Sequence, residues 1–301
     1  MSVDTVSRSA ALAVDRERVA DYLALTKPRL TALALFATVA GFLMGSSRPL
    51  NVLVLIHTLV GAALVGGGAN ALNQWAERDA DALMPRTQSR PLPAGRLKPI
   101  EALVFGLAIS SLGVGYLAVW ANGVAGWLAV LTLVTYVGLY TPLKRKTALC
   151  TLIGAIPGAI PPLIGWAAAR GEVTLEAWVL FTMLFLWQLP HFLAIAWVYR
   201  DEYARAGFQM LPVVEPDGAS TARQIILYSL TLLPISLLPT IMGMAGPVYF
   251  VGAAVLGIWF FGTAMITARR RSCAVAQRLF VTSIAYLPVL LFLLVMDRTP
   301  I

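Results

Sequence analysis

The chain has 301 residues, of which 58% are hydrophobic and 13% charged, and its mean hydropathy is +0.76. Soluble domains carry about 45–50% apolar and about 25% charged residues, so this composition excludes a soluble globular protein, and its wealth of large apolar side chains excludes disorder. A formal charge of +8, from 23 Lys and Arg against 15 Asp and Glu, suits loops facing anionic lipid, and no nucleic-acid partner is expected.

Asp4, Asp15, Glu17 and Asp21 precede any apolar run, unlike the cationic start of a cleaved signal peptide. Residues 1–29 therefore read as an N-terminal segment ahead of a single transmembrane domain over 30–296. Nine apolar runs follow, over 30–47, 52–75, 101–120, 123–141, 149–168, 175–196, 222–243, 246–267 and 276–296. Each approaches the ~20 residues a helix needs to cross ~30 Å of hydrocarbon. The fold class expected is an all-α integral membrane protein of about nine transmembrane helices. Prolines and glycines such as Pro157, Gly158, Pro161 and Pro162 predict kinks and close helix contacts. Cys150 and Cys273 are far apart and lack ligand-like neighbours, which argues against a disulfide or zinc site.

Nine crossings put all Lys and Arg on one side except Arg48, Arg170 and Arg298. That bias places the N-terminus in the cytoplasm, and the protein is expected in the cell (inner or plasma) membrane.

The acids nearest the bilayer fall in two regions on the cation-rich side. In the first, Asn73, Glu77 and Asp81 follow the second run at spacings of four. If the helix continues, they advance about 40° per step and form one stripe, with Asp79 pointing elsewhere. Hard oxygens on one face beside a basic loop suit Mg²⁺, which binds through one or two carboxylates and fills its shell with substrate phosphates. The plain alternative is a solvated helix end whose acids pair with Arg78 and Arg86. The rigid cationic stretch holding Arg86, Arg90 and Arg96 reads either as a turn with anchoring arginines or as a phosphate clamp. Lys144, Arg145 and Lys146 are membrane anchors or counter-charges for a diphosphate.

The second region closes the sixth run: Trp187, Pro190, His191 and Phe192, then Arg200, Asp201, Glu202 and Tyr203. Pro190 should kink or interrupt the helix and open a cavity. On a regular helix, His191 and Glu202 would share a face about 16 Å apart. A histidine within a span is a functional candidate, although many only link helices. His57, near the opposite end, reads as structural. The recurrence of acids from Glu77 to Glu202, each closing an even-numbered span, favours one shared site.

The stripe and its extension through Met84, Arg86, Thr87, Arg90, Pro91, Leu92 and Pro93 resemble the first Asp-rich motif of the UbiA superfamily of intramembrane prenyltransferases. Further motifs resemble its haem-using branch: Tyr140, Pro142, Lys144 and Arg145; Gly158, Pro161, Pro162, Gly165 and Trp166; Trp187 through Phe192; and Tyr203, Gly207, Met210 and Pro212. The likeness runs from about Lys27 and Arg29 to the last span. It implies nine helices around a central cavity, and Mg²⁺ held by Asn73, Glu77, Asp81, Asp201 and Glu202. It implies transfer of a farnesyl group from farnesyl diphosphate to a vinyl group of haem b, with water, giving haem O and diphosphate. Arg29, Arg86, Arg90, Lys144, Arg145, Arg200, Asp201 and Tyr203 would bind substrate. His191 would contact the haem iron or orient substrate. A downstream haem A synthase or terminal oxidase assembly is implied as partner. The second region departs from the superfamily's run of aspartates: only Asp201 and Glu202 are acids, in the order opposite to that of related chains, so either could face the site.

Three other readings of function remain in play. A transporter would place charge at the bilayer midplane, whereas these acids cluster at one face. A sibling prenyltransferase acting on an aromatic acid or quinone precursor would share the stripe but not the His191 signature. A purely structural assembly factor would leave the stripe dispensable.

Overall fold

The structure is a computed structural model that describes residues 17–47 and 49–299. Arg8, Arg16 and Arg48, counted for orientation, lie outside the described residues, as do Asp4, Asp15 and the rest of residues 1–16.

Among the described residues, nine helices are long and apolar enough to cross a membrane: α1 (Pro28–Gly45), α2 (Val52–Asp81), α3 (Pro99–Trp120), α4 (Gly123–Leu143), α5 (Cys150–Arg170), α6 (Leu175–Val198), α7 (Ala219–Ile241), α8 (Pro247–Arg270) and α9 (Cys273–Met296). No strand is present in that range, only an isolated bridge between Ala245 and Arg298. The expected runs agree with these spans within a few residues. The main difference is α2, which continues to Asp81 and so carries the acidic stripe on a regular helix. Val119, Trp127, Val255 and Ile258 are exposed on the outer helices, as expected of a surface facing lipid.

The layers follow from burial. α5 and α6 bury most of their residues, while α3, α4, α7 and α8 bury under a third. α2 packs most heavily on α3, α1 on the second half of α5, and α7 on α8. The α1–α5 contact is glycine-made: a Cβ on Gly41 would lie 2.0 Å from the Pro162 carbonyl oxygen. α5 is split, its helical halves meeting at Ile160 before Pro161, where the missing N–H ends the first half.

Of the kink or interruption expected at Pro190 in α6, the interruption does not occur: the helix runs through to Val198. The break comes at Tyr199 (φ −106°, ψ 20°), after which a short helix, Arg200–Arg205, begins in a new phase. His191 and Glu202 are therefore not on one continuous helix face. In α4 a π-helical turn, Val134–Tyr140, precedes Pro142. Such turns are rare, and they stack Tyr136 on Tyr140 with ring centroids 5.6 Å apart.

Residues 17–25 form a helix lying over the ends of α2 and α3. It is tied there by Arg18 to Glu101, by Asp21 to Arg96 at 2.9 Å, and by Gln74 donating to the Leu25 carbonyl at 2.8 Å. His57 is bonded to the Tyr116 hydroxyl at 2.7 Å and stacked on Trp120, the structural role expected of it.

Candidate active site

Asn73, Glu77 and Asp81 are all buried, at 1%, 6% and 1% exposure, on one face of α2. Each meets a different cation. Lys27 Nζ donates to Asn73 Oδ1 at 3.1 Å, Lys144 Nζ lies 2.7 Å from Glu77 Oε1, and Arg90 Nη1 lies 2.6 Å from Asp81 Oδ2. The pairing with Arg78 and Arg86 expected of a solvated helix end does not occur at these residues. Arg78 instead stands 3.7 Å from Asp79, which is turned to solvent.

The Asn73 amide has a fixed orientation. Thr141 spends its hydroxyl proton on the Tyr136 carbonyl (2.8 Å), so its oxygen accepts from Asn73 Nδ2 (3.2 Å) and Oδ1 is left facing Lys27. Thr141 can reach because the π-helical turn shifts its register. Glu77 Oε1 is buried, and the group it meets is the Lys144 ammonium of the ion pair.

Lys27 is the residue that sequence reasoning missed; only its place beside Pro28 at the start of the motif pointed to it. It is not glycine, yet its φ is +46°, a strained conformation of the kind found at functional sites. Burial pulls its ammonium down to about 7, and Arg90 adds to the effect. For Lys144, burial works against the charge, but Tyr140 and Glu77 hold its proton well above the ordinary lysine range. Its ammonium also lies 4.4 Å over the Tyr140 ring.

The second acidic region packs against the same end. Gln209 N–H donates to the Lys144 carbonyl at 2.7 Å. Arg86 lies 4.8 Å over the Tyr199 ring and 3.5 Å from the Tyr203 hydroxyl. Asp201, however, is 88% exposed and stands near only Arg200. Glu202 is half-buried, with a buried Oε2 that has no partner among the described residues. Among those residues no three of His, Cys, Asp and Glu stand close enough to hold one metal ion, so the five-ligand set is not assembled. The helix break at Tyr199 is the cause: it turns Asp201 outward. Arg29 and Arg145 are exposed and form no ion pair or side-chain hydrogen bond among the described residues, and Arg200 rests over the Trp197 ring at 5.2 Å.

From this charged end an apolar cavity of about 320 Å³ reaches into the bundle. Tyr136 and Tyr140 line it near the stripe, and Trp187, His191 and Phe192 line it on α6. Gly158 is small for a reason, since a Cβ there would lie 1.9 Å from Gln188 Oε1 on the facing wall.

Buried hard oxygens and cations at one end of an apolar cavity, in a bundle of membrane-length helices, are the features of an intramembrane site suited to an anionic head and a lipid tail. The chain belongs to the UbiA prenyltransferase family, whose sequence model matches residues 34–293. It is 48% identical over 287 residues to the Protoheme IX farnesyltransferase of Solibacter usitatus, covering 92% of this chain and 98% of that one. The fold is similar to that of a digeranylgeranylglyceryl phosphate synthase structure (TM-score 0.79, 18% identity, 93% and 98% coverage). It is also similar to that of a UbiA homolog from Archaeoglobus fulgidus bound to GPP and Mg²⁺ (TM-score 0.67, 16% identity, 92% and 99% coverage).

Proposed function

We propose that this chain transfers the farnesyl group of farnesyl diphosphate to a vinyl group of protohaem IX (haem b), with addition of water, giving haem O and diphosphate. The observation that carries the reading is the buried Asn73, Glu77 and Asp81 stripe, each residue matched to a cation, beside a cavity lined by Tyr136, Tyr140 and His191. The 48% identity to a chain of that name supports the choice of acceptor.

The donor set fits Mg²⁺: three buried hard oxygens on one helix face, two of them carboxylates, with phosphates to complete the shell. Asn73, Glu77 and Asp81 would hold it, and of the second region Glu202, half-buried where Asp201 is exposed, is the acid assigned to the site. Bound there, Mg²⁺ would neutralise diphosphate charge as the allylic C–O bond breaks. Lys27, Arg86, Arg90 and Lys144 face the leaving diphosphate and stabilise the charge it gains, which is worth most in a dry site. Tyr136 and Tyr140 line the cavity next to the charged end, and the apolar wall would exclude water from the allylic carbon. The vinyl electrons form the new C–C bond, the cation left beside the porphyrin is captured by water, and that water loses a proton. No protein nucleophile is needed.

We further read residues 30–296 as one catalytic domain, with the N-terminus and the charged end on the cytoplasmic side of the cell membrane, where a lipid-tailed diphosphate enters sideways. A haem A synthase or terminal oxidase assembly would take the product.

The test is product mass. Protein in lipid with haem b, farnesyl diphosphate and Mg²⁺ is expected to yield a porphyrin heavier by one farnesyl group and one water, and none with EDTA. Transfer only to a phenolic acceptor would move the chain to a sibling branch, and no diphosphate release with any acceptor would favour a transporter. Within this reaction, Asp201→Asn should change kcat/KM by no more than about twofold, as exposed substitutions do. Glu202→Gln should lower it clearly more. Equal losses would refute the inward assignment of Glu202.

A further inference from the structure

The contacts of His191 single out a residue on α9. Ser283 is fully buried, and its hydroxyl donates to the Phe280 carbonyl at 2.5 Å. A serine has one proton to give, so towards His191 Nδ1, 2.6 Å away, its oxygen is the acceptor and Nδ1 carries the hydrogen. In the neutral imidazole Nε2 then keeps its lone pair. Nε2 has no hydrogen-bond partner among the described residues, and His191 lines the cavity. The ring cannot swing freely: it stacks on Trp187 (5.1 Å, 24°) and meets Phe280 at 5.1 Å. Trp187 is itself pinned by donating to the Ser283 carbonyl at 2.9 Å. A histidine that only linked helices would leave no bare nitrogen facing an apolar cavity.

We propose that Ser283 is a positioning residue for the acceptor: it fixes His191 as the Nδ1–H tautomer, so that Nε2 is presented to the iron of the porphyrin in the cavity. The inference rests on the haem reading above. Metal-binding histidines are held in this way by an acceptor for their second nitrogen, and loss of such a partner weakens metal binding by about 10–100-fold.

The experiment titrates haem b, and separately metal-free protoporphyrin IX, into the full chain in lipid nanodiscs, reading absorption spectra and affinity. The wild type should give a nitrogen-ligated haem spectrum. Ser283→Ala should shift that spectrum towards unligated haem and weaken haem binding by about 10–100-fold, while metal-free porphyrin binds both proteins within about twofold. Its Trp187 contact survives, because that acceptor is main chain. His191→Ala should show the same spectral loss, and adding Ser283→Ala to it should change nothing further. If Ser283→Ala fails to fold, the near-isosteric Ser283→Cys, a weaker acceptor, should give an intermediate spectrum. An unchanged haem spectrum in the serine variants, or equal weakening for both porphyrins, overturns the proposal. A wild type that makes haem O without nitrogen ligation sinks this inference alone. One that ligates haem through His191 but makes no haem O sinks the proposed reaction alone.

Discussion

Glu77→Gln is expected to lower farnesyl transfer by about 10²–10³-fold, the scale of removing one group that stabilises transition-state charge, while the protein still inserts in the membrane. The alternative is that Glu77 matters only as the buried partner of Lys144, since breaking such a pair costs about 3–5 kcal/mol by stranding one charge. The two readings separate by symmetry. A structural ion pair is broken equally from either side, so Glu77→Gln and Lys144→Gln would show the same loss of thermal stability and the same kinetics. If the carboxylate holds Mg²⁺ and the ammonium faces diphosphate, the kinetics differ: Glu77→Gln raises the Mg²⁺ concentration needed for half-maximal rate, and Lys144→Gln raises the KM for farnesyl diphosphate. Matching kinetics in the two variants, or normal turnover in Glu77→Gln, would remove Glu77 from the metal site. Asp81→Asn, which breaks the contact with Arg90, should follow Glu77→Gln.

The helices and the stripe could be read from the chain because both are periodic. Apolar runs of bilayer length leave few alternatives, and a spacing of four places Asn73, Glu77 and Asp81 on one face once α2 is known to continue. What periodicity does not carry was missed or misplaced. Pro190 was expected to kink or interrupt α6; the helix is not interrupted there and ends instead at Tyr199, where no proline or glycine marks the change. That break leaves Asp201 exposed and Glu202 half-buried, a difference that depends on backbone phase rather than on residue type. The π-helical turn that sets Tyr136, Tyr140 and Thr141 has no pattern of its own in the sequence. Lys27 and Ser283 lie far in sequence from Asn73 and His191, and a lysine or serine near a helix is too common to single out without its partner.

The packing that frames the cavity makes a second large prediction. α1 and α5 both line the cavity, and they approach so closely that a Cβ on Gly165 would lie 2.0 Å from the Thr38 carbonyl oxygen and 2.7 Å from the Phe42 nitrogen. Both obstacles are main chain, so no side chain can turn aside and the helices must separate. Gly165→Ala should therefore lower stability by about 1–3 kcal/mol or more, read as a drop in Tm in lipid, and should also raise the KM for farnesyl diphosphate because the wall moves. Gly262, inside α8 with nothing within 4 Å of its would-be Cβ, is the control. There alanine adds helix propensity, worth up to about 1 kcal/mol, at no steric cost, so Tm should hold or rise. If Gly165→Ala and Gly262→Ala moved Tm alike, close approach of α1 and α5 would not be what holds the cavity wall. Unequal Tm shifts with unchanged KM would confine Gly165 to stability and leave the shape of the cavity to α2, α4 and α6.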